Sequence, residues 1–348
     1  MVGLSQKGVT IDYLTNNNVV VIGGLGRTGG SLLAFVMDGG PDCRACSIEH
    51  PVINGGLDVD LATISDVSHF KERFVKRALV RHDALSRFDK SYQRCHFDYD
   101  VFEAKIETIY RSSPNLKTVH ANVLNAWLGV RDGRDCASDE IIFNHDGRAF
   151  FYPTDTLLTN FGLRGFIYTR RNSIEWLISF ALHHGNMITQ RWFLEQALYI
   201  KLKCDLLAEF YQQKFPEKFL IIDYHKLVTN PENTTKNICQ FFGKLQAGEY
   251  WREATYLGSP VRSNSNLISR DVKGVFVKPN SLELIDHIYP EFREWASNEL
   301  NRISTMNTSE INDPELIHRS YKFLTQVRSK SDRPKILDRI KNRFSRKA

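Results

Sequence analysis

Apolar runs of two kinds alternate along this chain. Val19–Ile22 is an unbroken apolar run that reads as a buried strand, and after a glycine-rich break the apolar pattern from Ser31 to Met37 is long enough for a helix. Pro41 and Asp42 make a turn, and the stretch Ser47 to Ile53 predicts a second strand. From 66 to 112 apolar and charged residues recur at helical spacing without proline or glycine, which predicts two or three inserted helices. Lys117-Thr118-Val119-His120 predicts a short strand followed by a helix through Trp127, and Glu140 to Tyr152 predicts two strand-like runs around Asp146-Gly147, a hairpin signal. Arg164 to Thr169 is a further strand leading to a helix from Ser173, and Met187 to Phe215 is one long, mostly buried helix. Phe219–Ile222 is the last clear strand. Pro231 opens a helix that ends at Phe242-Gly243, with proline early and glycine late.

Strands alternating with helices imply an α/β fold in three layers, a central parallel sheet of four or five strands flanked by helices. The expected organisation is one domain over residues 1–310, with the helical insertion at about 66–112, followed by C-terminal helices and a basic tail over 311–348. A polar, basic loop over 256–280 has the length of a functional cover, and helices at about 281–304 and 313–328 follow it.

Composition changes this picture little: 348 residues, 42% hydrophobic and 25% charged, are ordinary for a globular chain. The net charge of +6 suits an anionic ligand, but much of the excess lies from Arg328 onward, so the globular part argues against nucleic acid. The basic tail carries Ile336, Leu337, Ile340 and Phe344 on one helical face. That pattern suits either a weak peripheral contact with an anionic membrane or a docked or solvated terminal helix. Residues 1–18 lack a long apolar core, and the apolar window at 19–37 is interrupted by Arg27 and the glycine turn. The six cysteines are scattered, Cys43 and Cys46 having no second pair at zinc spacing; reduced thiols, no metal and a cytoplasmic location are expected.

The chemistry begins at the glycine break. A strand, a glycine turn and a helix aim backbone N–H groups and a positive helix end at one point, which makes an anion site. Gly24-Leu25-Gly26-Arg27-Thr28-Gly29 satisfies the dinucleotide pattern GxGxxG. Gly24 through Gly29, Gly30 and Ser31 satisfies the P-loop pattern, except that Gly30 stands where the lysine would be. Read as Arg27-Thr28-Gly29-Gly30-Ser31, the stretch resembles the 5′-phosphosulfate loop of sulfotransferases.

Two later stretches extend that resemblance. In Tyr168-Thr169-Arg170-Arg171-Asn172-Ser173, Arg171 ends a strand and Ser179 follows on the next helix, the spacing with which sulfotransferases clamp the 3′-phosphate of 3′-phosphoadenosine 5′-phosphosulfate. Phe219 to Gly243 is similar to the family's "strand, YEDL, NPxxT, IxxFLG" segment, with His225-Lys226 replacing the acidic pair. Three ordered matches span residues 19 to 243, and the chain thus resembles a sulfotransferase. Arg262-Ser263-Asn264, with Lys273-Gly274 beyond, is similar to the family's late donor-covering loop.

The resemblance implies a P-loop-like turn and the 3′-phosphoadenosine 5′-phosphosulfate donor, with no metal. The acceptor would be a hydroxyl or amine of a small molecule or glycan. Arg27, Thr28, Gly29, Gly30 and Ser31 would hold the 5′-phosphosulfate, Arg171 and Ser179 the 3′-phosphate, and Arg262 and Lys273 would cover the donor. Arg27 in the first loop is closer to the tyrosylprotein and bacterial type than to the cytosolic metabolite type, and Asp38, Pro41 and Arg44 also fall as in that pattern. That type has an acidic base just beyond, which points to Glu49. In the metabolite-sulfating branch the base is a histidine, for which His120 and His145 stand as rivals, His145 at a turn that reads as exposed. Two other classes use such a turn: a nucleotide-dependent kinase or NTPase, and a non-catalytic binding protein. The missing lysine and the absence of an evident metal-binding aspartate after a strand count against the first.

Overall fold

The computed structural model describes residues 14–38, 40, 42–46, 64, 66–74, 97–112, 114–147, 149–151, 154–184, 190–243, 255–256, 259–260, 291, 294–298 and 301. They fall in two compact units, Met1–Arg170 with Glu209–Lys278, and Arg171–Ala208 with Pro279–Ala348.

The first unit holds a five-stranded sheet of order β2-β3-β1-β4-β5. Its strands are β1 (Val19–Gly23), β2 (Cys43–Cys46), β3 (Ile141–His145), β4 (Gly165–Arg170) and β5 (Phe219–Asp223), and every pairing is parallel. Helices cover both faces, as sequential parallel strands require. On one face α1 (Gly30–Met37), α8 (Tyr224–Thr229) and α9 (Pro231–Phe242) bury Val20, Ile22, Phe143, Ile167 and Ile222 against Leu33, Met37, Leu227 and Phe242. On the other, Phe150 packs on Phe166 and Tyr168, and Tyr211 on Phe219. α4 (Val119–Asp132) contacts β2 and β3. The inserted region contributes α2 (Val67–Phe74) and α3 (Tyr99–Arg111), with α3 packed on α4 through Phe102 and Trp127. α5 (Thr154–Thr159) lies between β3 and β4 in the chain, and Thr255–Tyr256 pairs antiparallel with Ser259–Pro260. In the second unit, α6 (Ser173–His183) stacks Phe180 on Trp176 and on Phe193 of α7 (Arg191–Lys214).

Two local expectations are corrected, and a third, the strand at Ser47–Ile53, lies outside the described residues. The second described strand is Cys43–Cys46. Arg44 disguised that strand; it is buried there because Asp132 pairs with it at 2.8 Å. Lys117–His120 is a turn and the start of α4 rather than a strand. Asn115 directs it, accepting from Lys117 N at 2.9 Å and, through its carbonyl, from Val119 N at 2.9 Å. The described residues between 140 and 152 form no hairpin. After β3, Asp146 N still bonds Ile22 O of β1 at 2.9 Å, and Asp146 O turns the chain into the 3-10 helix Ala149–Phe151.

Candidate active site

In open α/β sheets ligands gather at the carboxyl ends of the strands, where connections leave in opposite directions. Here β1 sits between β3 and β4, and the glycine turn rises from its carboxyl end. Gly24 and Gly29 take φ of +142° and +101°, backbone that side chains resist. Both are also crowded. A Cβ on Gly24 would stand 3.0 Å from Thr169 O and Thr28 Oγ1, and one on Gly29 would stand 2.5 Å from Tyr224 Cδ2. Arg27 is left-handed too, at φ 75°, and among the described residues it is the one non-glycine with positive φ. That conformation costs roughly 1–2 kcal/mol, strain of the kind that collects at functional turns.

The turn is tied to the sheet by hydroxyls. Thr28 Oγ1 donates to Leu25 O at 2.6 Å and lies 2.8 Å from Thr169 Oγ1, which reaches Gly23 O at 3.3 Å. Thr28 is buried, whereas Gly29 and Ser31 are half-buried around the start of α1.

His145 closes the opposite side. It ends β3 in register with Ile22, and it is buried at 6% exposure rather than on an exposed turn. Its Nε2 lies 2.7 Å from where a Cβ on Gly30 would be, so the imidazole rests against the first residue of α1. Residue 30 therefore has no room for the lysine of a P-loop.

His120 sits elsewhere. It lies in the first turn of α4, beside Ala121, whose amide donates to Asn16 Oδ1 ahead of β1. The length of β1, about 13 Å at 3.3 Å per residue, separates that edge from the turn. Burial lowers its pKa to about 3, and both ring nitrogens lack a hydrogen-bond partner among the described residues. Glu49 follows β2 in the chain but lies outside the described residues, as do Arg262 and Lys273.

Arg171 and Ser179 belong to the second unit, and both are buried. Asn172 caps α6 by accepting from Ile174 N and Glu175 N. Arg171 precedes the cap, Glu175 and Ser179 lie four residues apart on α6, and Arg171 Nε pairs with Glu175 Oε2 at 3.4 Å. Arg170 is more exposed and pairs with Glu209 at 2.9 Å.

Other chemistry recedes. Cys43 and Cys46 are buried free thiols on β2, and burial raises both thiol pKa values. Asp38 and Arg44 belong to a buried ion network in which Arg131 joins Asp38 and Asp132. Among the described residues no helix is long and apolar enough to cross a membrane, and no three metal-ligating side chains converge. Sequence reasoning passed over Tyr224 and Thr169. Their one signal was position, at the carboxyl ends of β5 and β4.

Residues 19–244 match the sequence model described as "Sulfotransferase family". No curated protein matches the chain. Among solved structures it is similar to a sulfotransferase domain from the Synechococcus PCC 7002 olefin synthase, at 13% identity over 91% of this chain and 95% of that one, TM-score 0.40. The sulfotransferase domain from the curacin biosynthetic pathway aligns at 14% identity over 68% of this chain and 77% of its own, TM-score 0.38. Sulfotransferase STF9 from Mycobacterium avium aligns at 12% over 67% and 65%, TM-score 0.36.

Proposed function

Because the chain belongs to the sulfotransferase family, we propose that it moves a sulfuryl group from 3′-phosphoadenosine 5′-phosphosulfate to a hydroxyl or amine of a small molecule or glycan. The observation that carries this reading is His145 packed against Gly30, which brings a titratable nitrogen to the start of the anion turn. In this scheme His145 takes the proton of the acceptor as its oxygen or nitrogen attacks sulfur in line. The bond from sulfur to the bridging oxygen breaks, and the electron pair leaves on the 5′-phosphate. Arg27 and the N–H groups at the start of α1 balance the charge that grows on that oxygen. The turn positions the donor, and most of the rate gain is positional and electrostatic. The scheme uses no metal.

His145 replaces Glu49 as the preferred base because its position against the turn supports the role directly. Glu49→Gln is the rival's test: loss of transfer with donor binding intact would return the role to Glu49. A kinase is disfavoured, because His145 fills the space a lysine at position 30 would need. Five buried free thiols among the described residues suit a reducing, cytoplasmic setting.

Arg171 with Ser179 reads the 3′-phosphate in this scheme. Calorimetric titration with 3′-phosphoadenosine 5′-phosphate, ATP and NAD tests the donor class, and only the first should bind tightly. Arg171→Ala should weaken that binding by roughly 2–4 kcal/mol, as loss of a charge-assisted phosphate contact does. Adenosine 5′-phosphosulfate, which lacks the 3′-phosphate, should be nearly unaffected. Equal losses for both nucleotides would remove Arg171 from the role, and preferred binding of ATP would overturn the reading itself.

A further inference from the structure

The hydroxyl pair beneath the glycine turn has a use that the anion-site pattern does not include. A threonine hydroxyl has one proton. Thr28 Oγ1 lies 2.6 Å from Leu25 O and 2.8 Å from Thr169 Oγ1. Leu25 O is an acceptor only, so the short bond to it commits the Thr28 proton. Thr169 then donates, its proton directed to Thr28 Oγ1 or to Gly23 O at 3.3 Å. The backbone agrees, since Thr28 N also donates to Leu25 O, at 3.3 Å. Neither the hydroxyl nor the amide of Thr28 is directed at a ligand. Both hold the turn closed on itself and onto β4.

We propose that Thr169, acting through Thr28, is a positioning residue that holds Arg27 over the reacting group. The proposal rests on the sulfuryl-transfer reading. Arg27 directly precedes Thr28 and is the residue forced to positive φ, at 75°. A lock at the next residue keeps its backbone in that sparsely populated state, and with it the direction of the guanidinium. The lock is anchored on a rigid element, because Thr169 lies inside β4, paired with Ile222 of β5. Gly24 is part of the same arrangement: a Cβ there would meet Thr169 Oγ1 at 3.1 Å and Thr28 Oγ1 at 3.0 Å, prising the hydroxyls apart.

Thr169→Val keeps the shape of the side chain and deletes the donor. Turnover should fall about tenfold while the KM for the donor stays within about twofold, because the loss is of orientation in the transition state rather than of donor contacts. Thr169→Ser should restore turnover. In an Arg27→Ala background Thr169→Val should cost nothing more, since its effect passes through Arg27. Hydrogen exchange of the Thr28 amide should quicken about tenfold in Thr169→Val, a readout independent of catalysis. If Thr28→Val weakened 3′-phosphoadenosine 5′-phosphate binding tenfold while Thr169→Val was silent, Thr28 would be a direct ligand and the proposal would fall. Full additivity of Thr169→Val with Arg27→Ala would overturn it as well. Were the wild type to transfer no sulfuryl group, the functional reading would fail by itself. Exchange would still decide the lock: quickened exchange upholds it and unchanged exchange sinks it.

Discussion

The two edges of the sheet carry similar residue types and put them to opposite ends. At the amino edge Asn16 is fully buried and satisfied. Its Nδ2 donates to Leu116 O at 2.7 Å and Phe161 O at 2.9 Å, and its Oδ1 accepts from Ala121 N at 2.9 Å. The neighbouring His120 is held neutral by burial, with a pKa of about 3. At the carboxyl edge the backbone is strained at Arg27, the turn is kept free of side chains at Gly24 and Gly29, and His145 rests on a helix start. One edge spends its polar groups on joining segments of chain, and the other holds them where an anion would arrive. The two histidines therefore sit in different surroundings, His120 in the core at one edge and His145 beside the glycine turn at the other.

The sharpest test of that contrast compares the two histidines. His145→Ala should lower turnover by about a thousandfold, the scale of a lost general base, and His120→Ala should leave it within about threefold. Steady-state transfer assays on both variants decide it, and a reversal would mean that the edges have been assigned the wrong way round. Next in size is Arg27→Ala, expected to lower turnover about a hundredfold with a smaller effect on nucleotide binding. Unchanged turnover in the folded variant would make the strain at that residue purely architectural.

At the other edge the effect should fall on stability. Asn16→Ala leaves two carbonyls and an amide without partners and should cost about 2 kcal/mol in denaturant unfolding, with nucleotide affinity unchanged. A loss of affinity equal to that of a site variant would blur the distinction between the edges. The smallest effect is a pH dependence. His120 has a folded pKa of about 3, below the ordinary histidine value of about 6.5. Between those values the unfolded chain binds a proton that the folded chain refuses. Stability is therefore complete above about pH 6.5 and falls toward pH 3 by up to about 1.4 kcal/mol per pH unit. His120→Leu should flatten that slope in acid-unfolding curves, and an unchanged slope would place the acid sensitivity on other groups.

Much of the fold was legible because it is written locally. Val19–Ile22, the helix through Met37, the strand before Arg171 and the Pro231–Phe242 helix each carry their signal within a few residues. What misled was also local. Thr118-Val119 has strand propensity, but the Asn115 turn sends those residues into a helix. Arg44 interrupts the apolar pattern of Cys43–Cys46, and Asp132, the partner that lets it be buried, is far away in sequence. Asp146-Gly147 has hairpin chemistry, yet Asp146 remains bonded to Ile22 O and the described residues beyond it form a 3-10 helix.

The sequence by itself determined the order of strands and helices, the glycine turn with Arg27, and the family, since each depends on residue types at short spacing. Only the tertiary structure decided which histidine stands at the turn and which is locked neutral in the core. It alone joined Thr28 to Thr169 and seated Tyr224 on Gly29. Those pairings join residues that are far apart along the chain. Their chemistry depends on strand register and on burial, which arise when β3, β4 and β5 assemble beside β1 and which no stretch of the chain encodes alone.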